Sequence, residues 1–173
     1  MNQRIPPGLV IAAVLLTMGG CKKAAPKTEG PKAVLEAYLR LDAEGKGMSS
    51  EGLQEMKPYV MWDQAAAWDA IAVIDGYTIG DLQAGATRAK AQVTYRRLGI
   101  LTEHFEKAAA ESVTYFLRHE GGQWKVDAPQ LMPHVDARVM EEHLRRQTDA
   151  SPEMLKVNQE LLKQLEAAHA PAQ

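Results

Sequence analysis

Asp75 is the residue in this sequence that is best placed for acid–base chemistry. It lies in a predicted strand over residues 70–79, and strict alternation puts it on the same face as Val73 and Tyr77, where a charge is unexpected. Burial would raise the pKa of its carboxyl group and suit it to proton transfer. A bulge at Gly76, or a strand that ends there, would instead return Asp75 to solvent. The sequence leaves both arrangements open.

The histidines and glycines do not have the spacing of known metal or nucleotide sites. The five histidines form neither a His-Glu-x-x-His motif nor a His-x-His pair. Glu142-His143 is predicted to lie on a solvated helix face, and His134-x-Asp136 to form a turn and a helix cap. Gly45-Lys46-Gly47 lacks the first glycine and the Ser or Thr of a phosphate-binding loop, and no Gly-x-Ser-x-Gly elbow is present. We therefore expect no metal and no cofactor, and we expect binding rather than catalysis.

The single cysteine, Cys21, directly follows an apolar run near the N-terminus. One cysteine cannot form an internal disulfide or a Cys-based zinc site. Arg4, the apolar residues 8–18 and the small residues before Cys21 are typical of a secretory signal peptide, and the run is shorter than the about 20 residues of a spanning helix. Met18-Gly19-Gly20-Cys21 resembles the bacterial lipobox. The resemblance implies cleavage before Cys21, lipid on its sulfur and acylation of the new amino terminus; the alternative is a secreted protein with a buried free cysteine.

Residues 22–30 are predicted to be a flexible tether, because they are small and polar and include Pro26. Lys22, Lys23 and Lys27 would lie nearest the bilayer, where they would attract anionic lipid or only solubilise the tether. Lysine directly after the lipidated cysteine resembles the enteric signal for delivery to the outer membrane. We expect a protein anchored in the bacterial cell envelope, on the periplasmic face of the outer membrane.

The composition is that of an ordinary globular protein. Of its 173 residues, 46% are hydrophobic and 24% are charged, which argues against both disorder and a membrane bundle. The net charge of −2 shows no excess of basic residues, so nucleic acid is not an expected partner. One folded domain is expected at this length.

The hydrophobic pattern predicts an α+β protein, with helices before and after an antiparallel meander. The predicted helices cover residues 31–46 and 49–56, with a further turn at 62–68. The predicted strands cover residues 70–79, 88–98, 111–119 and 124–127, with Gly121-Gly122 as a hairpin turn. After Pro133 the pattern becomes helical again, with Val135, Val139 and Leu144 marking one helix and Ser151-Pro152-Glu153 opening another.

This order of elements resembles the nuclear transport factor two-like superfamily, which includes ketosteroid isomerases. The supporting segments are residues 33–39 (AVLEAYL), 91–95 (AQVTY) and 122–127 (GQWKVD). The resemblance covers residues 31–133 and implies a cone-like domain in which the first helix closes a curved sheet. Residues 134–173 would be a C-terminal helical extension outside that fold.

The resemblance also implies a pocket on the concave face of the sheet. The pocket candidates are the aromatic residues of the first helix and the strands: Tyr38, Trp68, Tyr77, Tyr95, Tyr115 and Trp124. These side chains could equally fill the core. Isomerases of the family use a pocket carboxylate with a tyrosine, which here implies Asp75 and Tyr77 as catalytic candidates.

The last predicted helix has a broad apolar stripe that includes Met154, Val157, Leu161 and Leu165. We expect this stripe to pack on its own domain, or else to dock a partner helix. Together the patterns predict a lipid-anchored envelope protein that binds an apolar small molecule or an envelope protein partner. The alternative is a ketosteroid-isomerase-like enzyme.

Overall fold

The computed structural model describes residues 29–63, 69–148 and 151–169. Its helices are α1 (Pro31–Ala43), α2 (Ser50–Met56), α3 (Ala137–Arg146) and α4 (Pro152–His169), with 3-10 turns at Lys46–Met48 and Lys57–Tyr59. Its strands are β1 (Ile71–Ala84), β2 (Arg88–Leu101), β3 (Phe105–Lys107), β4 (Glu111–Glu120), β5 (Gln123–Ala128) and β6 (His134–Asp136).

Helices α1 and α2 begin at the residues that their sequences favour. Pro31 occupies the first turn of α1, where its missing N–H would have had no helical partner. The Ser49 hydroxyl accepts a hydrogen bond of 3.1 Å from the Gly52 N–H and caps α2. Helix α1 ends before the predicted residue 46, because Gly45 adopts the left-handed conformation with φ of 74°.

The six strands form one strongly curved sheet with the order β5-β4-β2-β1-β6, and β3 pairs with β2. The prediction of an α+β fold with a curved sheet and C-terminal helices is confirmed at this level. The sheet is mixed, however, and not antiparallel throughout, because β6 returns to lie parallel to β1. The helix predicted from Val135 therefore begins two residues later, at Ala137, with the Asp136 carboxylate capping it at 2.9 Å.

Separate apolar cores lie on the two faces of β1. On the concave face, α1 packs through Leu35, Tyr38 and Leu39 against Ile74 and the inward side chains of β2, β4 and β5. On the other face, α3 and α4 pack against Val73. Since Val73 and Ile74 are neighbours in one strand, their side chains enter opposite cores.

Helix α4 buries only part of its predicted apolar stripe. Leu161 and Leu165 are buried against α3 and the sheet. Met154 and Val157, nearer the start of the helix, are 50% and 41% exposed. The expectation that this whole stripe packs on its own domain is therefore wrong for the first turns.

Candidate functional site

A cleft of about 360 Å³ opens between α1, α2 and the segment that precedes β6. Its apolar lining includes Leu53, Met56, Val60, Leu131 and Pro133. The other lining residues are aromatic, polar or glycine: Tyr38, Trp62, Asp42, Asp63, Lys57, Ser50, Gln54, Gln130 and Gly47. The volume lies within the range of pockets that bind small ligands.

Asp42 places a carboxylate at the buried side of this cleft. It lies four residues after Tyr38 and seven after Leu35, so that it shares the buried face of α1. Its exposed fraction is only 4%. One carboxylate oxygen, Oδ2, accepts a hydrogen bond of 3.1 Å from the His134 main-chain N–H. Burial raises the pKa of the Asp42 carboxyl group, and the contact with His134 opposes that shift.

The His134 side chain is 2% exposed and lies between the buried Asp42 and the partly exposed Glu111. Its Nδ1 atom is 3.6 Å from Asp42 Oδ2, and its Nε2 atom is 3.7 Å from Glu111 Oε2. The imidazole stacks on the Tyr95 ring with centroids 4.0 Å apart and planes 13° apart. Within the part of the chain that the structure describes, neither ring nitrogen has a hydrogen-bond partner. Strand β6 fixes this position because Ala72 and His134 pair in the parallel register.

Three tyrosines fill the concave face of the sheet beside these polar groups. The Tyr95 and Tyr115 hydroxyl oxygens are 2.7 Å apart and hydrogen-bonded, and the ring centroids of Tyr38 and Tyr115 are 5.8 Å apart. Burial raises the pKa of all three phenols, so each hydroxyl keeps its proton at neutral pH. Of the three, only Tyr38 lines the cleft. These buried side chains thus fill the part of the concave face beside α1, and the cleft opens next to it at Tyr38.

The remaining pocket candidates lie elsewhere. Tyr77 is half-buried, and its ring centroid is 6.3 Å from that of Tyr95. Trp124 is half-buried on β5 against His119, with ring centroids 5.2 Å apart. Neither of these two candidates lines the cleft. Trp68 lies outside the described residues.

Asp75 lies on the outer side of the sheet. The pairing of β1 with β2 shifts between Ile74 and Tyr77, and Gly76 has a φ of 119°. The resulting bulge turns Asp75 to solvent, and its side chain is 51% exposed. The Asp75 Oδ2 atom lies 3.6 Å from Arg96 Nε. Asp75 therefore does not share the inner face with Tyr77, and neither residue lines the cleft. Of the two arrangements that the sequence leaves open, the structure has the bulge at Gly76, and the alternation on which the catalytic candidacy of Asp75 depends is interrupted there.

Over the ranges 29–63, 69–148 and 151–169, no group of three or more His, Cys, Asp or Glu side chains could hold a metal ion. No helix within the same ranges is long and apolar enough to cross a membrane. Cys21 and the predicted signal peptide lie outside the described residues.

No protein-family model, no curated protein and no solved structure matches this chain.

Sequence reasoning missed three residues of the site. The position of Asp42 on the apolar face of α1 is predictable from the sequence, since this acid follows Tyr38 and Leu35 at helical spacing. The sequence predicts His134 to be part of a turn, because β6 has only three residues and no detectable alternation. The sequence predicts Trp62 to lie in a helical turn, whereas Trp62 and Asp63 are not helical in the structure.

Proposed function

We propose that this chain is a lipid-anchored protein of the bacterial cell envelope that binds a small molecule with a largely apolar body. The cleft between α1 and α2, with the buried Asp42 carboxylate at its inner side, carries the binding part of the proposal. The lipobox-like Met18-Gly19-Gly20-Cys21 supports the anchor.

The lining of the cleft suits recognition of a small molecule. Half of its lining residues have aliphatic or aromatic side chains, which would remove apolar ligand surface from water. Asp42 supplies a fixed polar group, because its Oδ2 atom is held by the His134 main chain. A mainly apolar cavity with few oriented polar groups is the usual design of a ligand site.

We further propose that residues 31–133 adopt a nuclear transport factor two-like arrangement. The support is the order of elements, in which α1 and α2 precede a curved sheet and α1 packs on its concave face. The filled interior of the sheet accounts for a cleft that opens beside α1 and not at the centre of the cone.

The binding proposal is tested by native mass spectrometry of the full chain, released by detergent from the membranes of its own organism. We expect a retained small molecule that is lost in Leu53→Trp, because Leu53 lines the cleft and a larger side chain would fill it. Glu51→Trp is the matched control, since Glu51 is an exposed residue of the same helix that does not line the cleft. Absence of any retained molecule, or equal retention in both variants, would contradict the proposal.

The anchor is tested separately by metabolic labelling with palmitate. We expect the label in the wild-type chain and none in Cys21→Ser, since the proposed lipid is attached at this residue. Full labelling of Cys21→Ser would refute the anchor.

A protein partner is a second candidate, favoured by the exposed Met154 and Val157 on α4. Two large apolar side chains one turn apart on a helix provide a small docking surface. In the same mass spectrometry experiment, this candidate predicts a retained protein that is lost in Met154→Glu.

A further inference from the structure

The cleft combines a buried acid with two aromatic rings. The Tyr38 and Trp62 rings pack edge to face, with centroids 6.0 Å apart and planes 87° apart, and both line the cleft with Asp42. A second carboxylate, that of Asp63, lies at an exposed position of the same lining. Carboxylates and aromatic faces both attract cations.

We infer that the cleft selects a ligand that carries a substituted ammonium group, bound between the Asp42 carboxylate and the partly exposed Trp62 ring, which packs on the buried Tyr38. This inference rests on the proposed binding function and specifies its ligand class. The alkyl substituents of such a cation would contact the aliphatic part of the lining, and its charge would face the acid.

The orientation of the Asp42 carboxylate is compatible with this arrangement. The Oδ2 atom faces His134, whereas the Oδ1 atom faces Gly47. A Cβ atom added to Gly47 would lie 3.6 Å from Oδ1. Gly47 and Asp42 both line the cleft. A ligand cation that contacts Asp42 from the cleft would leave Oδ2 held by the His134 main chain.

Among the described residues that line the cleft, Lys57 is the one basic residue, and it does not reverse this preference. Lys57 is exposed, so water and salt screen its charge, whereas Asp42 is buried and is screened much less. An anionic ligand that filled the cleft would bring its charge close to this acid. The arrangement therefore favours a cation over an anion.

The test compares choline with 3,3-dimethylbutan-1-ol, which has the same shape and hydroxyl group but a carbon atom in place of the ammonium nitrogen. Affinities are measured by calorimetric titration of the full chain in non-ionic detergent. We expect choline to bind at least about ten-fold more tightly, because only choline gains the carboxylate and cation–π contacts. Equal affinity, tighter binding of the neutral alcohol or no binding of choline would overturn the inference.

Two variants assign the selectivity to these residues. Asp42→Asn keeps the shape and the acceptor for the His134 N–H, and it should remove most of the preference for choline over the alcohol. If this variant does not fold, Trp62→Leu removes an aromatic face and should weaken choline binding several-fold while alcohol binding changes little. Trp124→Leu is the matched control, because Trp124 does not line the cleft, and it should leave the selectivity intact. Unchanged selectivity in Trp62→Leu would contradict the inference.

The failure of this inference can be distinguished from failure of the binding proposal. A neutral or anionic molecule that is retained by the wild-type chain and lost in Leu53→Trp would end the ammonium inference and leave the binding function standing. If no molecule is retained and neither probe binds, the binding function fails as well.

Discussion

Asp42 carries a carboxylate in the interior of the fold, and the consequence for stability depends on pH. Burial raises its pKa in the folded state above the ordinary value of aspartate. At pH values between the ordinary pKa, which applies to the unfolded chain, and the raised pKa of the folded state, the folded state binds more protons than the unfolded state. The stability that Asp42 contributes therefore falls as pH rises through this window. The charged and titratable groups around it are His134 from β6, Tyr38 from α1 and, beyond them, Tyr95 and Tyr115.

We predict that Asp42→Asn gains stability relative to the wild type as pH rises through this window. The asparagine keeps the hydrogen bond from the His134 N–H but does not titrate, so the pH-dependent loss is absent. The measurement is urea denaturation of both proteins at a series of pH values from 4 to 8, with the difference in unfolding free energy plotted against pH. Asp127→Asn, which alters an acid with a 39% exposed side chain, controls for general charge effects. A difference that is flat or falls with pH would show that Asp42 does not titrate in this way.

The residues of the cleft show where the sequence is informative about single positions. The spacing of Tyr38 and Asp42 could have placed both on one face of α1, because helical spacing alone decides this. The contact between Asp42 and His134 joins residues that are 92 positions apart. No local pattern predicts such a pair, since it depends on how the chain returns to the edge of the sheet.

At the scale of elements, the long strands were predictable and the short ones were not. The alternation of β2 is regular, with Ala89, Ala91, Val93 and Tyr95 buried and their neighbours exposed, because only the concave face of this stretch packs against a core. Strands β3 and β6 have three residues each, too few for a period of two to stand out. Their positions are set by pairing with β2 and β1, which is a property of the assembled sheet.

The bulge of β1 is an element-scale feature that depends on one glycine. Gly76 has a φ of 119°, a conformation that side chains with a Cβ atom rarely adopt, and the Arg96 guanidinium packs over it. We predict that Gly76→Ala lowers the unfolding free energy by about 1–3 kcal/mol, as measured by urea denaturation. The control is Gly85→Ala, in a turn without a positive φ, where an added Cβ makes only an ordinary contact at 3.6 Å and little change is expected. Equal stability of the two variants would mean that the bulge tolerates a side chain.

At the scale of the whole molecule, the C-terminal helices are connected to the sheet by apolar packing and by charge. Val73 and Leu101 from the sheet share a core with Leu161 and Leu165 from α4. At the end of α4, His169 Nδ1 lies 3.2 Å from Glu141 Oε1 of α3. His169 Nε2 lies 3.7 Å from Asp75 Oδ1 of β1. Asp75 is exposed and the other two side chains are only partly buried, so these polar contacts contribute little individually and the apolar contact is the main connection.

The two cores share β1, and this arrangement predicts that the chain from α1 to α4 unfolds as one unit. Leu165 is fully buried, so Leu165→Ala should lower the unfolding free energy by about 2–5 kcal/mol through lost burial and the cavity that remains. Val157→Ala, an exposed position on the same helix, should change it by less than about 0.5 kcal/mol. Tryptophan fluorescence is the sharpest measurement, because Trp62 and Trp124 report on the core that α4 does not touch. A shift of the whole fluorescence transition in Leu165→Ala would show that the two faces are coupled through β1, whereas an unchanged transition would make α3 and α4 an independent appendage.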